Sequence, residues 1–380
     1  MRDTLYLDYA AATPLDPRVV KEMHRVEKLF ANPSSNYQSG RDARNEIALA
    51  RKKIAMFFGA NSEEIVFTSG ATEANNLAIL GAARASEKKE IISIATEHAS
   101  VRKPLEQLEK EGFTIHWCAI DSTGRVNQKA FENLLSQATA LVTINYANSE
   151  IGTIQQIAKL VKIVRAYEKC NGTKIIFHTD ASTALSLLNC DVNRLGMDLL
   201  TCSAAKIYGP KGVGLLYVRR GVNLTPLMYG GSQEGGVRSG TENINLIVGF
   251  SIALLLVQEL RKKDAEKYQQ LYVRCMLELS KITLLENGHS KDRIFSLVSI
   301  CLNGISGENI VAYLDAHKIE IATGAACEAS NDMPSAALLA IGRTKDQAQG
   351  SIRISFGRQT KNSDIDKLIE CLKKTISALS

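Results

Sequence analysis

The chain has no CxxC pair, no Cys/His cluster with the spacing of zinc ligands, and no uninterrupted apolar run long enough to cross a bilayer. Each absence removes a class of protein. Structural zinc modules are excluded. The eight cysteines, at positions 118, 170, 190, 202, 275, 301, 327 and 371, read mostly as buried small hydrophobes in a reducing cytoplasm. The longest apolar stretch, residues 246–260, is broken by Ser251, Gln258 and Glu259, so no membrane partner is expected. Charge of one sign is also scarce. The 46 Lys and Arg against 40 Asp and Glu leave a net +6, scattered apart from short patches such as Lys88-Lys89 and Lys262-Lys263. Direct nucleic-acid binding is therefore not indicated. The opening residues include Arg2, Asp3 and Asp8, which is not a signal-peptide pattern. Internal repeats and low-complexity segments are missing as well.

What is present is a chain of 380 residues, 45% hydrophobic, enough for a large core and more than one domain. Short β-branched runs at 64–68, 91–94, 141–145, 175–179, 198–202 and 214–218 predict strands. Amphipathic stretches at 41–58, 72–83, 101–111, 154–168 and 243–263 predict helices. Their alternation predicts an α/β fold, a mostly parallel central sheet flanked by helices. Beyond about residue 260 the pattern changes to a long polar helix, a strand at 294–301, a Gly/Ala-rich loop at 323–330, a strand at 351–356 and a closing helix near 364–379. That reads as a smaller α+β domain. The expected division is a large domain, 15–260, and a small one built from 1–14 and 261–380.

The most informative stretch is Ser203-Ala204-Ala205-Lys206 followed by Ile207-Tyr208-Gly209-Pro210-Lys211-Gly212. Lys206 lies 26 residues after Asp180, which follows the apolar run 175–179. A lysine in a small-residue turn downstream of a strand-terminal carboxylate suits a pyridoxal phosphate (PLP) site. The amine can form a Schiff base with the aldehyde, and the carboxylate can hold the pyridine nitrogen protonated. An ordinary solvated lysine in a glycine-rich loop is the other reading of the same residues.

Further candidates carry similar pairs of readings. Ser69-Gly70-Ala71-Thr72 runs from strand to helix start, suited to a phosphate on oriented amides or simply to a capped turn. His98 follows a strand and starts a helix, where it would stack on a cofactor ring and shuttle protons, or merely cap. Asn148 lies beyond a strand end, where open α/β sheets bind ligands; its amide would donate to a phenolate oxygen or serve a turn. Cys327 sits in a small-residue stretch with the composition of a mobile loop, as a nucleophile or an incidental thiol. Arg353 interrupts an apolar strand, which calls for a substrate carboxylate or a structural ion pair. The glycine-rich element from Gly230 to Thr241, with Arg238 and Ser239, is a second phosphate-binding candidate or a flexible surface loop.

Together these residues resemble the cysteine desulfurase family, in the class V aminotransferase branch of fold-type I PLP enzymes. The resemblance runs from Tyr6-Leu7-Asp8-Tyr9-Ala10-Ala11-Ala12-Thr13-Pro14 through Asn32-Pro33-Ser34-Ser35, the segments quoted above and Asp180-Ala181, to Gly324-Ala325-Ala326-Cys327 and Ser351-Ile352-Arg353. The Cys327 stretch is similar to that of the long-loop, housekeeping-type members. The resemblance implies that Lys206 carries PLP, Asp180 pairs with the pyridine nitrogen and His98 stacks on the ring. Asn148, Ala71 and Thr183 would contact the cofactor, and Thr72 and Ser203 its phosphate, with Thr241 reaching across a homodimer. Arg353, with Asn32 or Asn148, would grip the carboxylate of L-cysteine, and Cys327 would take the sulfur as a persulfide, leaving L-alanine. A persulfide-acceptor protein is implied as partner, serving tRNA thiolation, iron–sulfur assembly or DNA phosphorothioation. A selenocysteine lyase and a low-activity PLP-fold partner subunit are the alternatives.

Three positions depart from the family pattern. Ala205 stands where a histidine usually precedes the lysine, Thr183 where a glutamine usually meets the phenolate oxygen, and Tyr37 in place of a histidine common after the Asn-Pro-Ser-Ser motif. Weaker or differently tuned cofactor binding is the expectation. The sequence ends at Ser380, soon after the closing helix, whereas housekeeping relatives often carry a longer tail that docks an iron–sulfur scaffold; delivery by that route is not expected.

Overall fold

The computed structural model describes residues 4–324 and 334–379. The chain enters as a two-residue strand, β1 (Leu5–Tyr6). It then builds a seven-stranded sheet from β2 (Ile65–Thr68), β3 (Glu90–Ser93), β4 (Thr114–Trp117), β5 (Thr139–Thr143), β6 (Ile176–Asp180), β7 (Leu199–Ser203) and β8 (Gly214–Val218). Their order is β2-β8-β7-β6-β5-β3-β4. Pairing is parallel from β4 through β7, and β8 runs against both β7 and β2. All but β8 therefore share one direction, as the alternation of strands and helices implies.

The central strands are buried on both faces, the usual consequence of covering a parallel sheet with helices. On one face, helices Ala71–Arg84 and Ala99–Lys110 pack through Leu77, Ile79, Val101 and Leu105. On the other, helices Pro17–Val26, Gln38–Phe58, Ile157–Asn171 and the first half of Ile244–Leu279 bury Val19, Phe58, Leu160 and Phe250. Edge strand β4, Thr-Ile-His-Trp, is half exposed and lacks the apolar run that marks the other strands. Helix Pro17–Val26 is absent from the predicted set, although its sequence signal is present. The Asp16 side chain accepts from the Arg18 amide, and Pro17 occupies the first turn.

The second sheet contains β9 (Leu285–Glu286), β10 (Leu297–Cys301), β12 (Ala322–Thr323) and β13 (Ser351–Ser355), while β11 (Ile319–Glu320) pairs in parallel with β1. The four strands are antiparallel in the order β12-β13-β10-β9. Helices Gly307–Ala316 and Asn362–Leu379 cover this sheet, and Leu7 from the N-terminal segment joins its core.

One expectation changes here. The helix predicted at 243–263 and the polar helix after it are one element of 36 residues, Ile244–Leu279. Its first half carries Ile247, Phe250, Leu254 and Val257 into the core beneath the large sheet, and its second half carries Tyr268, Leu271, Cys275 and Leu279 into the other core. The shift from apolar to charged composition near residue 260 marks a change of surroundings, with no break in the backbone. The apolar half meets the length and hydropathy of a membrane span, yet it packs against helices Pro17–Val26 and Gln38–Phe58.

The tightest approach in the large sheet lies under a turn. A Cβ at Gly214 would sit 2.7 Å from the Gly70 backbone and from the Cys202 carbonyl. Gly70 itself adopts φ 155°, ψ −178°, a region open essentially to glycine alone. We expect Gly214→Ala to cost about 1–3 kcal/mol through overpacking. It should also raise amide hydrogen exchange at residues 70–73. Denaturant unfolding and hydrogen exchange check both effects.

Candidate active site

The site forms where the strands that share a direction end. Past β2 comes Ser69-Gly70-Ala71, past β3 His98, past β5 Asn148, at the end of β6 Asp180, at the end of β7 Ser203, and just beyond it Lys206. Carboxyl ends of parallel strands are where open α/β sheets hold ligands.

Lys206 closes a single 3₁₀ turn, Ala204–Lys206, that follows β7. Its Nζ donates to the carbonyls of Ala10 and Ala11, both at 2.6 Å. Two residues on, Tyr208 is left-handed (φ 62°), a strained state for a bulky residue. It is pinned from several sides. Its amide donates to Thr13 Oγ1, its carbonyl accepts from Asp16, and its hydroxyl accepts from the Arg358 amide. The Arg358 guanidinium lies over the ring at 4.2 Å and bonds Asp264. Ala205, in the position usual for histidine, offers its carbonyl to the amide and hydroxyl of Thr13. Thr183 lines the same cleft as Lys206, Tyr9 and Ser355.

Asp180 is oriented by two donors, the Ser182 amide on Oδ1 at 2.8 Å and Asn75 Nδ2 on Oδ2 at 2.7 Å. Fully buried Asn75 also donates to Ser100 Oγ at 2.9 Å, and that hydroxyl lies 2.8 Å from His98 Nδ1. The same ring nitrogen accepts from the Ser100 amide, capping helix Ala99–Lys110 and leaving Nε2 to carry the proton of a neutral ring. Asp180 and His98 are thus joined through Asn75 and Ser100. No sequence signal singles out Asn75, which sits in the helical run Glu73-Ala74-Asn75-Asn76.

Asn148 is buried with its amide committed. Nδ2 donates to the Thr96 carbonyl and Oδ1 accepts from the amides of Glu150 and Ile151. One Nδ2 proton remains for a ligand. Arg353, buried on β13, donates to the Ser149 carbonyl and forms an ion pair with Asp8 at 2.8 Å. Its Nε is buried with no partner.

The turn from Ser69 to Thr72 starts helix Ala71–Arg84 without a side-chain cap, which leaves its first amides open to an anion. Ser203 Oγ accepts weakly from Ala205. Arg238, offered by the sequence to a phosphate, is instead paired with Glu73, whose carboxylate also accepts from the Ser69 amide. Asn32 closes a surface turn onto the Ser34 amide, and Thr241 is exposed near the start of Ile244–Leu279. Tyr37 is exposed just before helix Gln38–Phe58. Cys327 lies outside the described residues. Among the cysteines that are described, all but Cys170 are buried, and burial pushes Cys118 up to about 11 and Cys190 and Cys275 up to about 12. Such thiols are inert near neutrality.

A family model, Aminotransferase class-V, matches residues 5–368. The cysteine desulfurase IscS of Dictyoglomus turgidum is 40% identical over 384 aligned positions, covering 100% of this chain and 96% of its own. The solved structure of a NifS-like protein superposes with a TM-score of 0.92 at 31% identity, covering 99% of this chain and 100% of that one. The structure titled SspA in complex with cysteine gives 0.82 at 33%, covering 93% and 99%. This chain belongs to the cysteine desulfurases of the class V aminotransferase family.

Enzymes of this family depend on PLP and share the fold-type I architecture seen here. The site of this desulfurase fits that cofactor. An uncapped helix start suits the phosphate, a strand-end carboxylate held by two donors suits the pyridine nitrogen, and a lysine amine stands at the adjacent strand end. Beside these groups Thr96 Oγ1 and Ser182 Oγ are buried and unpartnered.

Glu97 is the site's most perturbed acid that sequence reasoning assigned no role. Burial pushes it up to about 8, the amide and side chain of Asn145 pull it back, and the charge of Asp180 adds to the rise. Its Oε2 is buried and unpartnered. The folded desulfurase therefore holds a proton there that the unfolded chain, near the ordinary 4.5, gives up. The resulting stability is intact below about pH 4.5 and drains away as pH rises through about 8. Glu97→Gln keeps an acceptor for Asn145 and removes the titration. It should melt about 2 °C or more above the native protein at pH 8 and close to it at pH 5. Parallel thermal melts decide it.

Proposed function

We propose that this protein removes sulfur from L-cysteine, releasing L-alanine and leaving the sulfur as a persulfide on Cys327. The thiol of Cys327 takes one sulfur atom, so that substrate and thiol together become alanine and persulfide with no oxidant or reductant consumed. PLP, when bound, supplies the electron sink that makes the substrate's Cα proton and its C–S bond labile. Lys206 holds the cofactor and moves protons, within a turn anchored at both ends. Asp180 fixes the ring nitrogen, and His98, joined to it through Asn75 and Ser100, stacks on the ring. Gly70, Ala71, Thr72 and Ser203 hold the phosphate, with Thr183 and Asn148 beside the ring. Arg353 grips the substrate carboxylate, with Asn32 and Asn148 as further candidate contacts.

The observation that carries this reading is the placement of two cations on one short segment. Residues 8–11 touch the Lys206 amine through two carbonyls and the Arg353 guanidinium through Asp8. An amine centre and a carboxylate grip that close together suit an α-amino acid.

Three finer parts belong to the same proposal. The enzyme acts as a homodimer in the cytoplasm, with Thr241 completing the phosphate site of the other subunit. Support comes from exposed Phe30, Tyr37, Met228 and Tyr229, which flank the Asn32 and Thr241 segments. The persulfide passes to an acceptor protein in tRNA thiolation, iron–sulfur assembly or DNA phosphorothioation. The chain divides into 15–260 and 1–14 with 261–380, crossed by helix Ile244–Leu279.

The test is alanine formed from L-cysteine with PLP and a reductant present. Lys206→Ala should lower the rate by about 10²–10⁴-fold or more. Cys327→Ser should abolish protein-bound persulfide. Alanine formation at the native rate in Lys206→Ala, or full persulfide in Cys327→Ser, would overturn the assignment.

A further inference from the structure

The N-terminal motif Tyr6 to Pro14 is singled out by sequence yet has no chemical role in the reading above. The structure shows it as a strap. Asp8 bridges to Ser355 and the Ala10 amide donates to Ser355 Oγ at 2.8 Å, which fixes the strap to β13. Thr13 and Asp16 fix its other end to Ala205 and Tyr208. Asp8 lies in a tight turn whose carbonyl accepts from Ala11 and from the Tyr6 hydroxyl. Its carboxylate is left facing Arg353.

The guanidinium of Arg353 is planar, and its donors leave in fixed directions. One Nη1 proton goes to the Ser149 carbonyl at 3.2 Å and one Nη2 proton to Asp8 Oδ1 at 2.8 Å. Nε is buried and unpartnered. Each Nη nitrogen carries a second proton, so the guanidinium keeps donors for a ligand carboxylate after these two bonds are made.

Resting on the site reading above, we propose that Asp8 is a positioning residue for substrate recognition, which locks the Arg353 guanidinium so that its remaining Nη protons are presented to the carboxylate of L-cysteine. Asp8 acts through its hydrogen bond to Nη2. It touches neither the cofactor nor the reacting atoms. The strap couples this grip to the lysine, since Ala10 and Ala11, two and three residues on, hold the Lys206 amine. Spacing between the amine centre and the carboxylate grip is thereby set within one turn of chain.

The test uses the PLP-loaded enzyme and two probes, L-cysteine and cysteamine, which has the amine and thiol but no carboxylate. Each is titrated against the cofactor's absorbance, and KM and kcat are measured for L-cysteine. Asp8→Ala should weaken L-cysteine about 10-fold in the titration and raise its KM similarly, with kcat within about threefold and cysteamine unchanged. Asp8→Asn, whose carbonyl can still accept from Nη2, should bind L-cysteine within about threefold of native. Equal weakening of both probes in Asp8→Ala would show general damage to the site and overturn the proposal. So would native or tighter L-cysteine binding, or an Asp8→Asn variant as poor as Asp8→Ala. Should Asp8→Ala not fold, Asp8→Ser, too short to reach the guanidinium, takes its place. Arg353→Ala separates the two levels. If it binds L-cysteine normally, the carboxylate assignment itself fails; if it binds poorly while Asp8→Ala is native, only the role of Asp8 fails.

Discussion

The site depends above all on hydrogen bonds between residues 10–16 and the chain around Lys206. Tyr208 is held in a conformation that its side chain disfavours, and Thr13, Asp16 and Arg358 each bond it. Strain of this kind persists only where the surroundings over-determine it. The lysine is therefore supported on both sides, by β7 before it and the clamped tyrosine after it. The same N-terminal segment reaches the second sheet at Ser355 and Arg353, so residues far apart in sequence share one scaffold.

A second layer of order surrounds Asp180. Its two donors are a backbone amide and a buried asparagine, and the asparagine passes the connection through Ser100 to His98. These bonds lie in the interior, where a satisfied polar chain rigidifies its surroundings and an unmade bond is costly. Behind Asp180 on the same strand, His178 is wedged between Thr143 and Thr201, and burial lowers it to about 4, so it stays neutral. Glu97 also stays protonated near neutrality. The interior beneath the site thus adds little charge to compete with that of Asp180.

Much of this was legible in the sequence, for physical reasons that differ by element. β2, β6 and β7 announced themselves because strands buried on both faces must be apolar runs, and Gly70, Asp180 and Lys206 lie at or just past the ends of those runs. Edge strand β4 faces solvent on one side and carried no such run. Helix Ile244–Leu279 was read as two because composition follows environment, and its environment changes midway. Asn75 could not be found, since a polar residue in a helix reads as surface until the opposing strand end is in place. Asp8 stood within a motif quoted from sequence, but its partner lies 345 residues away. Arg238 pairs with Glu73, a partner sequence order could not supply.

Helix Ile244–Leu279 has a mechanical consequence. At 1.5 Å per residue its 36 residues make a rod of about 54 Å, with one half packed in each core. Swinging the second sheet away from the first would mean bending that rod, and the described stretch contains no proline to soften it. The Arg358 side chain, bonded to Asp264 on the rod and stacked on Tyr208 beside the lysine, adds a cross-brace. The molecule is built like a girder with its cleft cut into one side. Rod and brace together resist any change in the distance between lysine and arginine.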